Sequence, residues 1–483
     1  MIYKGFIGGS YESQSFTAAQ MRTVNLYPER VEDPAATSPQ ILCPTPGVEL
    51  ITATNSTQGR AHAYLAGREL AVIGGSFLEI AQGGTPTHIG NVAVTPNPAT
   101  LSYNGEGGGE VLITSGGIAY LYTLASGAFA TISALNSKAS MGAQLDGYFL
   151  VLDQVTGTMY SSQLLDGATW TTGTMFAQRN SAPDPWIAMY VHGSYIWLLG
   201  SETSEVWYDA GASPFPFAKH PSGLTPYGIA APFSGAVCDN SLLWLGTSKS
   251  GGAVVMKASG FTPEPVSTYP VQLAMGSYDV VSDAYGDSYN EAGHTFYVLT
   301  FPSARKTWVY DLQMGQWHER GTWESGAHDY TEWGPRCHAF AFSEHRWLHG
   351  TGTGVYRSSI DLGSDVDSRP IRRMRQAPAL NQENQRIPYT SLELDLDRGQ
   401  GLVTGQGEDP QIVLQMSDDG GRTWGPEKPA SMGKMGEYGK RVRWERLGTA
   451  RRRAYRVYVT DPVPTRLTNA YLLTAGESMR RAG

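Results

Sequence analysis

A β-hairpin pattern recurs along the first three quarters of the chain at intervals of 37 to 54 residues. Each instance is a short apolar strand, a Gly-rich or polar turn and a second strand rich in Tyr, Trp or Val, as in "EVLITSGGIAYLY". One apolar residue per unit marks the repeat: Leu70, Leu112, Phe149, Trp197, Leu243, Tyr297 and Trp347. Hairpins repeated at this spacing, without helical periodicity, are typical of β-propeller blades. Because one blade cannot cover both of its own faces, the units must close into a ring.

Composition supports the same class of fold. The chain has 57 glycines, 28 prolines and 11% aromatic residues in 483 positions. Glycine serves tight turns and aromatic residues suit pleated, half-buried surfaces, so this balance favours strands over helices. We therefore predict an all-β protein with a propeller of about six or seven blades. A pair of β-sandwiches is the alternative, which the repeat disfavours.

The pattern changes at three places and suggests four segments. Residues 1–58 are interrupted by five prolines and lack regular periodicity, which predicts an extended N-terminal lead-in. The repeat predicts the propeller over 59–363. Residues 364–390 are polar and poor in β-formers, as in an interdomain linker. Residues 391–483 contain several stretches that alternate with period two, such as "PQIVLQMS", and predict a small C-terminal β-sandwich.

Charge is divided unequally between the two parts of the chain. The net charge of −8 is the sum of +7 from residues 369–483 and −15 from residues 1–368. Such an asymmetry indicates partners rather than fold. The N-terminus has no apolar core of signal-peptide length, and no stretch is long enough to span a membrane. We expect synthesis in the cytoplasm of a host cell and no membrane partner.

One short motif raises the question of catalysis. "SDDGGRTW", from Ser417 to Trp424, fits Ser-x-Asp-x-Gly-x-Thr-Trp and resembles the Asp-box hairpin of sialidases and other propeller glycosidases. It occurs once, outside the blades, and its Asp and Ser side chains can serve the turn backbone while its Trp anchors the hairpin. A sialidase also needs an arginine cluster and a Tyr nucleophile with an acidic partner, and no such set stands out. We predict a hairpin and no catalytic, cofactor or metal site. A sialidase-type glycosidase and a sugar-binding adsorption protein are the alternatives.

Two further stretches carry a family resemblance. "RTVNLYPERV" (22–31) is followed by "LCPTPGVEL" (42–50), and "KRVRWERLGTARRRAYRVYVTDPVPTRLTNAYL" (440–472) stands near the end. Together they resemble the packaged-DNA stabilisation proteins of short-tailed phages, also called tail hub or head-completion proteins. The matching positions are Val24, Asn25, Pro46, Gly47, Trp444, Arg446, Gly448, Arg452, Arg453, Val459, Thr460 and Pro462.

The resemblance implies a structural protein of the virion tail, not an enzyme. It implies a ring of six copies below the portal and its adaptor ring, which closes the DNA exit after packaging and anchors tailspikes or a tail needle. Packaged double-stranded DNA would pass through the channel without sequence-specific binding. An acidic body suits this, because like charge keeps exiting DNA from adhering to the wall.

Basic residues near the linker and near the end form the candidate interface with an acidic portal or adaptor surface. Eleven arginines belong to it: Arg369, Arg372, Arg373, Arg375, Arg441, Arg443, Arg446, Arg451, Arg452, Arg453 and Arg456. Two alternatives stay open for them. They could form a solvated strand face with weak ion pairs, or they could bind DNA directly, which would hinder ejection.

Overall fold

The structure is a computed structural model that describes residues 2–15, 19–179, 183–247, 251–381 and 383–474. It confirms the predicted all-β class. These ranges contain one α-helix, α1 (Tyr269–Gly276), and two short 3₁₀ turns, Ser133–Leu135 and Val366–Ser368. None of the helices in the described part of the chain is long and apolar enough to cross a membrane.

The N-terminal segment contains five strands before the first blade begins. They are β1 (Tyr11–Glu12), β2 (Gln20–Val24), β3 (Leu26–Arg30), β4 (Gln40–Pro44) and β5 (Gly47–Thr57).

Six four-stranded antiparallel blades follow in chain order: five are separate sheets, and the sixth is one end of a larger sheet. The first three consist of β6 (Gly59–Leu65), β7 (Arg68–Ile73), β8 (Ser76–Ile80) and β9 (Pro86–Asn91); β10 (Thr100–Tyr103), β11 (Glu110–Ser115), β12 (Ile118–Thr123) and β13 (Ala128–Thr131); and β14 (Met141–Leu145), β15 (Tyr148–Asp153), β16 (Thr158–Ser161) and β17 (Phe176–Gln178). The next three consist of β18 (Trp186–His192), β19 (Tyr195–Gly200), β20 (Ser204–Asp209) and β21 (Phe217–Thr225); β22 (Ala236–Cys238), β23 (Ser241–Thr247), β24 (Ala253–Ser259) and β25 (Thr262–Pro265); and β26 (Tyr285–Glu291), β27 (His294–Phe301), β28 (Lys306–Asp311) and β29 (Gln316–Arg320).

The seventh sheet closes the ring with strands from both ends of the propeller. After the hairpin β30 (Thr322–Glu324) and β31 (Asp329–Thr331) come β32 (Pro335–Ala341), β33 (Glu344–His349) and β34 (Thr353–Ser359). The fourth strand of this sheet is β5, which pairs antiparallel with β34. The chain then enters β6 directly, and β32 contacts β6. Closure therefore depends on backbone hydrogen bonds between residues some 300 positions apart, such as Tyr356 and Leu50.

The sequence repeat corresponds to seven sheets. Each of the seven repeat markers lies on the second strand of its sheet and is at most 1% exposed. Large apolar side chains at this position fill the space between neighbouring blades, so the hairpin period of the sequence is also the period of the core.

The C-terminal domain is a β-sandwich built from the remaining strands. These are β35 (Arg373–Gln376), β36 (Leu380–Asn381), β37 (Ile387–Leu396), β38 (Gln411–Ser417), β39 (Lys428–Ser431), β40 (Val442–Ala450), β41 (Arg452–Val459) and β42 (Leu467–Thr474). One sheet has the order β3-β4-β42-β37-β40, and the other contains β2-β35-β41-β38-β39. Buried residues of both sheets, among them Leu392, Leu414 and Val457, form the core between them.

The propeller and the sandwich share one sheet. Strand β2 pairs parallel with β29, the outer strand of the sixth blade, and antiparallel with β35 of the sandwich. An 11-stranded sheet therefore runs from the blade into the sandwich. Residues 1–58 and 364–390 differ here from an extended lead-in and a linker, because both supply paired strands. Pro28 does not prevent a strand here, because it lies in β3, an edge strand, where proline is tolerated.

Candidate docking surface

The junction between the two domains is organised around Asn25. This residue links β2 and β3, which belong to different sheets of the sandwich, and it has the left-handed conformation (φ 57°) that Asn tolerates better than most residues. Its side-chain Nδ2 donates to the carbonyls of Gly321 and Arg372 at 2.8 and 3.0 Å, and its Oδ1 accepts from the Gly321 N–H at 3.0 Å. Asn25 is 3% exposed, so these bonds are shielded from water. The motif residue is thus a structural connector of the sandwich to the propeller.

A charged network reinforces the same junction. Arg22 donates from Nε and Nη2 to the two carboxylate oxygens of Glu319 at 2.9 and 2.7 Å. The arginine comes from β2 and the glutamate from β29, so this two-pronged pair joins the N-terminal strand to the sixth blade. Asp329 on the propeller hairpin lies 3.7 Å from Arg22 and 2.9 Å from the Lys306 ammonium.

The linker arginines of the candidate interface have different environments. Arg369 is exposed, 3.9 Å from Asp367, and Arg372 is partly exposed. Arg373 and Arg375 are 2% and 0% exposed, and burial lowers the pKa of each, to about 10 and about 9. Arg375 donates to the backbone carbonyls of residues 5, 6, 8 and 9 and to the Thr23 hydroxyl. The candidate interface is therefore corrected at Arg373 and Arg375, because both side chains are buried in strand β35.

The arginines of the C-terminal strand pair also separate into three groups. Those that pair with acids are Arg441 with Glu393 at 2.6 Å, Arg443 with Glu445 at 3.2 Å and Arg453 with Asp418 at 2.6 Å. Arg453 is also 4% exposed, so it is buried as well as paired and is not available to a partner protein. The second group, Arg446 and Arg451, is exposed at the surface. The third group, Arg452 and Arg456, is partly exposed.

Three exposed arginines are grouped as the basic end of the sandwich: Arg446 and Arg451, which belong to the candidate interface, and Arg386, which does not. Strands β37 and β40 pair in a register that places Ile387 opposite Ala450, which brings Arg386 to the same end as Arg451. Within the described residues none of the three has an ion pair with an acid, although Arg451 donates to the Asn384 carbonyl at 3.0 Å. The sequence pattern did not indicate Arg386, since it comes to the same end as Arg451 only through the pairing of β37 with β40.

The Asp-box motif forms the turn between β38 and β39, as predicted. The Asp419 carboxylate accepts from the Thr423 hydroxyl at 2.6 Å, from the Thr423 and Arg422 N–H groups, and from the Ser417 hydroxyl at 2.7 Å. These bonds hold the pKa of Asp419 well below its usual range, and the bond from the Thr423 hydroxyl contributes most. Trp424 is half-buried beneath the Arg456 guanidinium, 4.2 Å from the ring centroid, instead of entering the core. The Asp419 carboxylate and the Ser417 and Thr423 hydroxyls are thus used within the hairpin, whereas Asp418 pairs with Arg453 of β41.

The geometry defines a class of protein: a seven-bladed propeller whose sixth blade continues into a C-terminal sandwich. Residues 5–355 match the family model described as "Bacteriophage P22 Gp10, beta-propeller", and residues 372–474 match "Bacteriophage P22 Gp10, beta-sandwich". The chain belongs to the bacteriophage P22 Gp10 family and is a structural protein of a phage tail. This confirms the resemblance found in the sequence.

Other comparisons are distant. Virginiamycin B lyase from Staphylococcus aureus is 11% identical with a TM-score of 0.42, over 65% of this chain and 99% of that chain. YCF48 from Cyanidioschyzon merolae is 11% identical with a TM-score of 0.38, over 64% of this chain and 98% of that chain. Similarities this low say nothing about function. No curated protein sequence matches the chain.

Proposed function

We propose that the protein is the tail hub of a short-tailed phage. Six copies, made in the host cytoplasm, form a ring below the portal and adaptor rings, close the DNA channel after packaging and anchor tailspikes or a tail needle. The observation that carries this proposal is the match of both domains, in order, to the bacteriophage P22 Gp10 family.

The shared sheet suits a protein that must hold a plug against packed DNA. Force applied to the sandwich reaches the propeller through the backbone pairing of β2 with β29 and β35, and through Asn25 and the Arg22–Glu319 pair. A flexible linker between the domains would yield before the interfaces did. The junction therefore supports a mechanical role.

The charge distribution supports the proposed partners. In the basic end of the sandwich, Arg446 and Arg451 are exposed members of the candidate interface and are open to an acidic portal or adaptor surface. Residues 1–368 carry a net charge of −15, which repels DNA and suits a channel that DNA passes without sequence-specific binding. Opposite charge on the two parts gives each a different kind of partner.

Immunogold electron microscopy of the source phage tests the hub proposal. Antibody against the protein is expected to label the neck or upper tail of intact particles. Label elsewhere on the particle, or none at the neck when the same antibody labels disrupted particles, would overturn the proposal.

A binding experiment tests the basic end separately. The Arg446→Glu/Arg451→Glu double variant is expected to lose capture by purified portal–adaptor complex, and the binding of the wild type is expected to weaken as salt is raised. Arg441→Glu is the matched control, because Arg441 is exposed and already paired with Glu393. Equal capture of the double variant and the wild type would exclude this surface from docking.

A further inference from the structure

The guanidinium of Arg372 is held between two aromatic rings that come from different domains. Its central carbon lies 3.7 Å from the centroid of the Trp323 ring and 3.6 Å from that of the Tyr458 ring. Trp323 is in β30 of the propeller hairpin, and Tyr458 is in β41 of the sandwich. Rings on both sides fix the plane of the guanidinium and leave its N–H groups pointing outward from the edge.

That edge has no acceptor among the described residues. The Nε atom of Arg372 is buried without a hydrogen-bond partner, and no carboxylate in the described ranges lies within 4.0 Å of the guanidinium. Two other arginines of this region are paired with acids: Arg22 binds both oxygens of Glu319, and Arg453 binds both oxygens of Asp418. Arg372 is partly exposed, so a ligand can reach it.

The surroundings of Arg372 add positive charge and further unfilled polar groups. Among the residues that the structure describes, Arg456 bonds only a neutral acceptor, the Gln415 Oε1 atom, at 2.7 and 3.1 Å. The pKa of Arg456 is lowered to about 10, chiefly by burial and then by the charge of Arg372. The Tyr330 ring packs edge-on against Trp323 at 5.0 Å, and its buried hydroxyl has no hydrogen-bond partner. The acid Glu427 is engaged with the Tyr458 hydroxyl.

We propose that the edge of Arg372 is a binding site for a carboxylate side chain of a partner protein, a proposal that rests on the proposed function. A planar guanidinium offers two parallel N–H donors that match the two oxygens of a carboxylate, and the stacked rings already restrict its rotamers, which lowers the entropy lost on binding.

Phosphate has the same donor requirement, but DNA fits this site less well. DNA affinity arises from many phosphate contacts along a basic surface. Here one stacked arginine and the neighbouring Arg456 offer donors for a single anionic group, not a basic surface that follows a run of phosphates.

Fluorescence anisotropy with a labelled oligoglutamate peptide tests the site on the full-length protein. Arg372→Gln is expected to weaken binding about tenfold, the effect of one charge-assisted hydrogen-bond pair of about 1.4 kcal/mol. Arg372→Lys is expected to weaken it by a similar factor, because an ammonium lacks the planar fork. Arg369→Gln is the matched control: Arg369 is exposed, three positions away, and its removal is expected to change the affinity less than about twofold.

Several results would overturn the site. One is that the wild type does not bind the peptide, and another is that Arg372→Gln and Arg369→Gln lose equal peptide affinity. The others are that Arg372→Lys binds the peptide as tightly as the wild type, or that the wild type binds a short DNA duplex more tightly than the peptide and Arg372→Gln abolishes this. Melting curves identify a variant that loses affinity by unfolding. If Arg372→Gln unfolds, the peptide affinity of Arg372→Lys, which keeps the charge between the rings, is compared with that of the wild type instead. Neck labelling of the phage is independent of these results, so the hub proposal and the carboxylate site can fail separately.

Discussion

Replacement of Asn25 by alanine tests whether the domain junction is a principal source of stability. The substitution removes three side-chain hydrogen bonds at a residue that is 3% exposed and leaves the Gly321 N–H and two carbonyls without these partners. At about 1 kcal/mol for each bond, the loss is about 3 kcal/mol. Alanine at φ 57° adds about 1 kcal/mol of backbone strain. We therefore expect Asn25→Ala to lower the free energy of unfolding by about 4 kcal/mol.

Urea denaturation followed by tryptophan fluorescence measures this loss. Asn384→Ala is the matched control, because Asn384 has a similar φ of 60° but is exposed, and no side-chain hydrogen bond of it is found in the described structure. Its replacement is expected to cost only the strain of about 1 kcal/mol. If the two variants differ by less than about 1 kcal/mol, the hydrogen bonds of Asn25 do not stabilise the junction.

Three further predictions concern buried or constrained charges. His318 is fully buried, and its pKa is lowered, chiefly by burial. The His318 side chain therefore stays neutral in the folded state but gains a proton in the unfolded state below about pH 6.5. From pH 7.5 to 5, the free energy of unfolding should fall by up to about 1.4 kcal/mol per pH unit more in the wild type than in His318→Phe. Arg375→Met should lower the free energy of unfolding by about 3–5 kcal/mol, because it leaves buried carbonyls unpaired. Arg441→Gln at the surface should leave the urea midpoint unchanged, and similar midpoints for the two variants would contradict the role of Arg375. Asp419→Asn should raise hydrogen exchange of the 420–424 amides, and unchanged exchange would show that the carboxylate does not order the turn.

Local sequence was sufficient for the propeller because its signal is local. The residues of a blade are neighbours in sequence, so each hairpin shows its own alternation and turn, and the repeat markers such as Trp197 and Trp347 fall on equivalent strands. The Asp box is local in the same sense: every group that bonds Asp419 lies within four positions of it. Both features were predicted correctly for this reason.

The candidate interface was harder to predict because exposure depends on distant pairing. Arg373 and Arg375 have the same composition around them as Arg369 and Arg372, but β35 lies between β2 and β41, and this placement decides which side chains are buried. Arg386 was overlooked for the converse reason, since it joins Arg451 only through the pairing of β37 with β40. For the exposed arginines, the docking role stays a prediction.

The sequence by itself determined the all-β class, the repeat of hairpins, the order of propeller and C-terminal sandwich, and the family. All of these follow from short-range periodicity and motifs, which are set by the preferences of neighbouring residues. Only the tertiary structure decided that β5 closes the seventh blade, that β2 joins the sixth blade to the sandwich, and that Arg372 is clamped between rings of both domains. These contacts join residues roughly 50 to 350 positions apart, and their partners are chosen by closure of the ring and burial of the shared core rather than by any local signal.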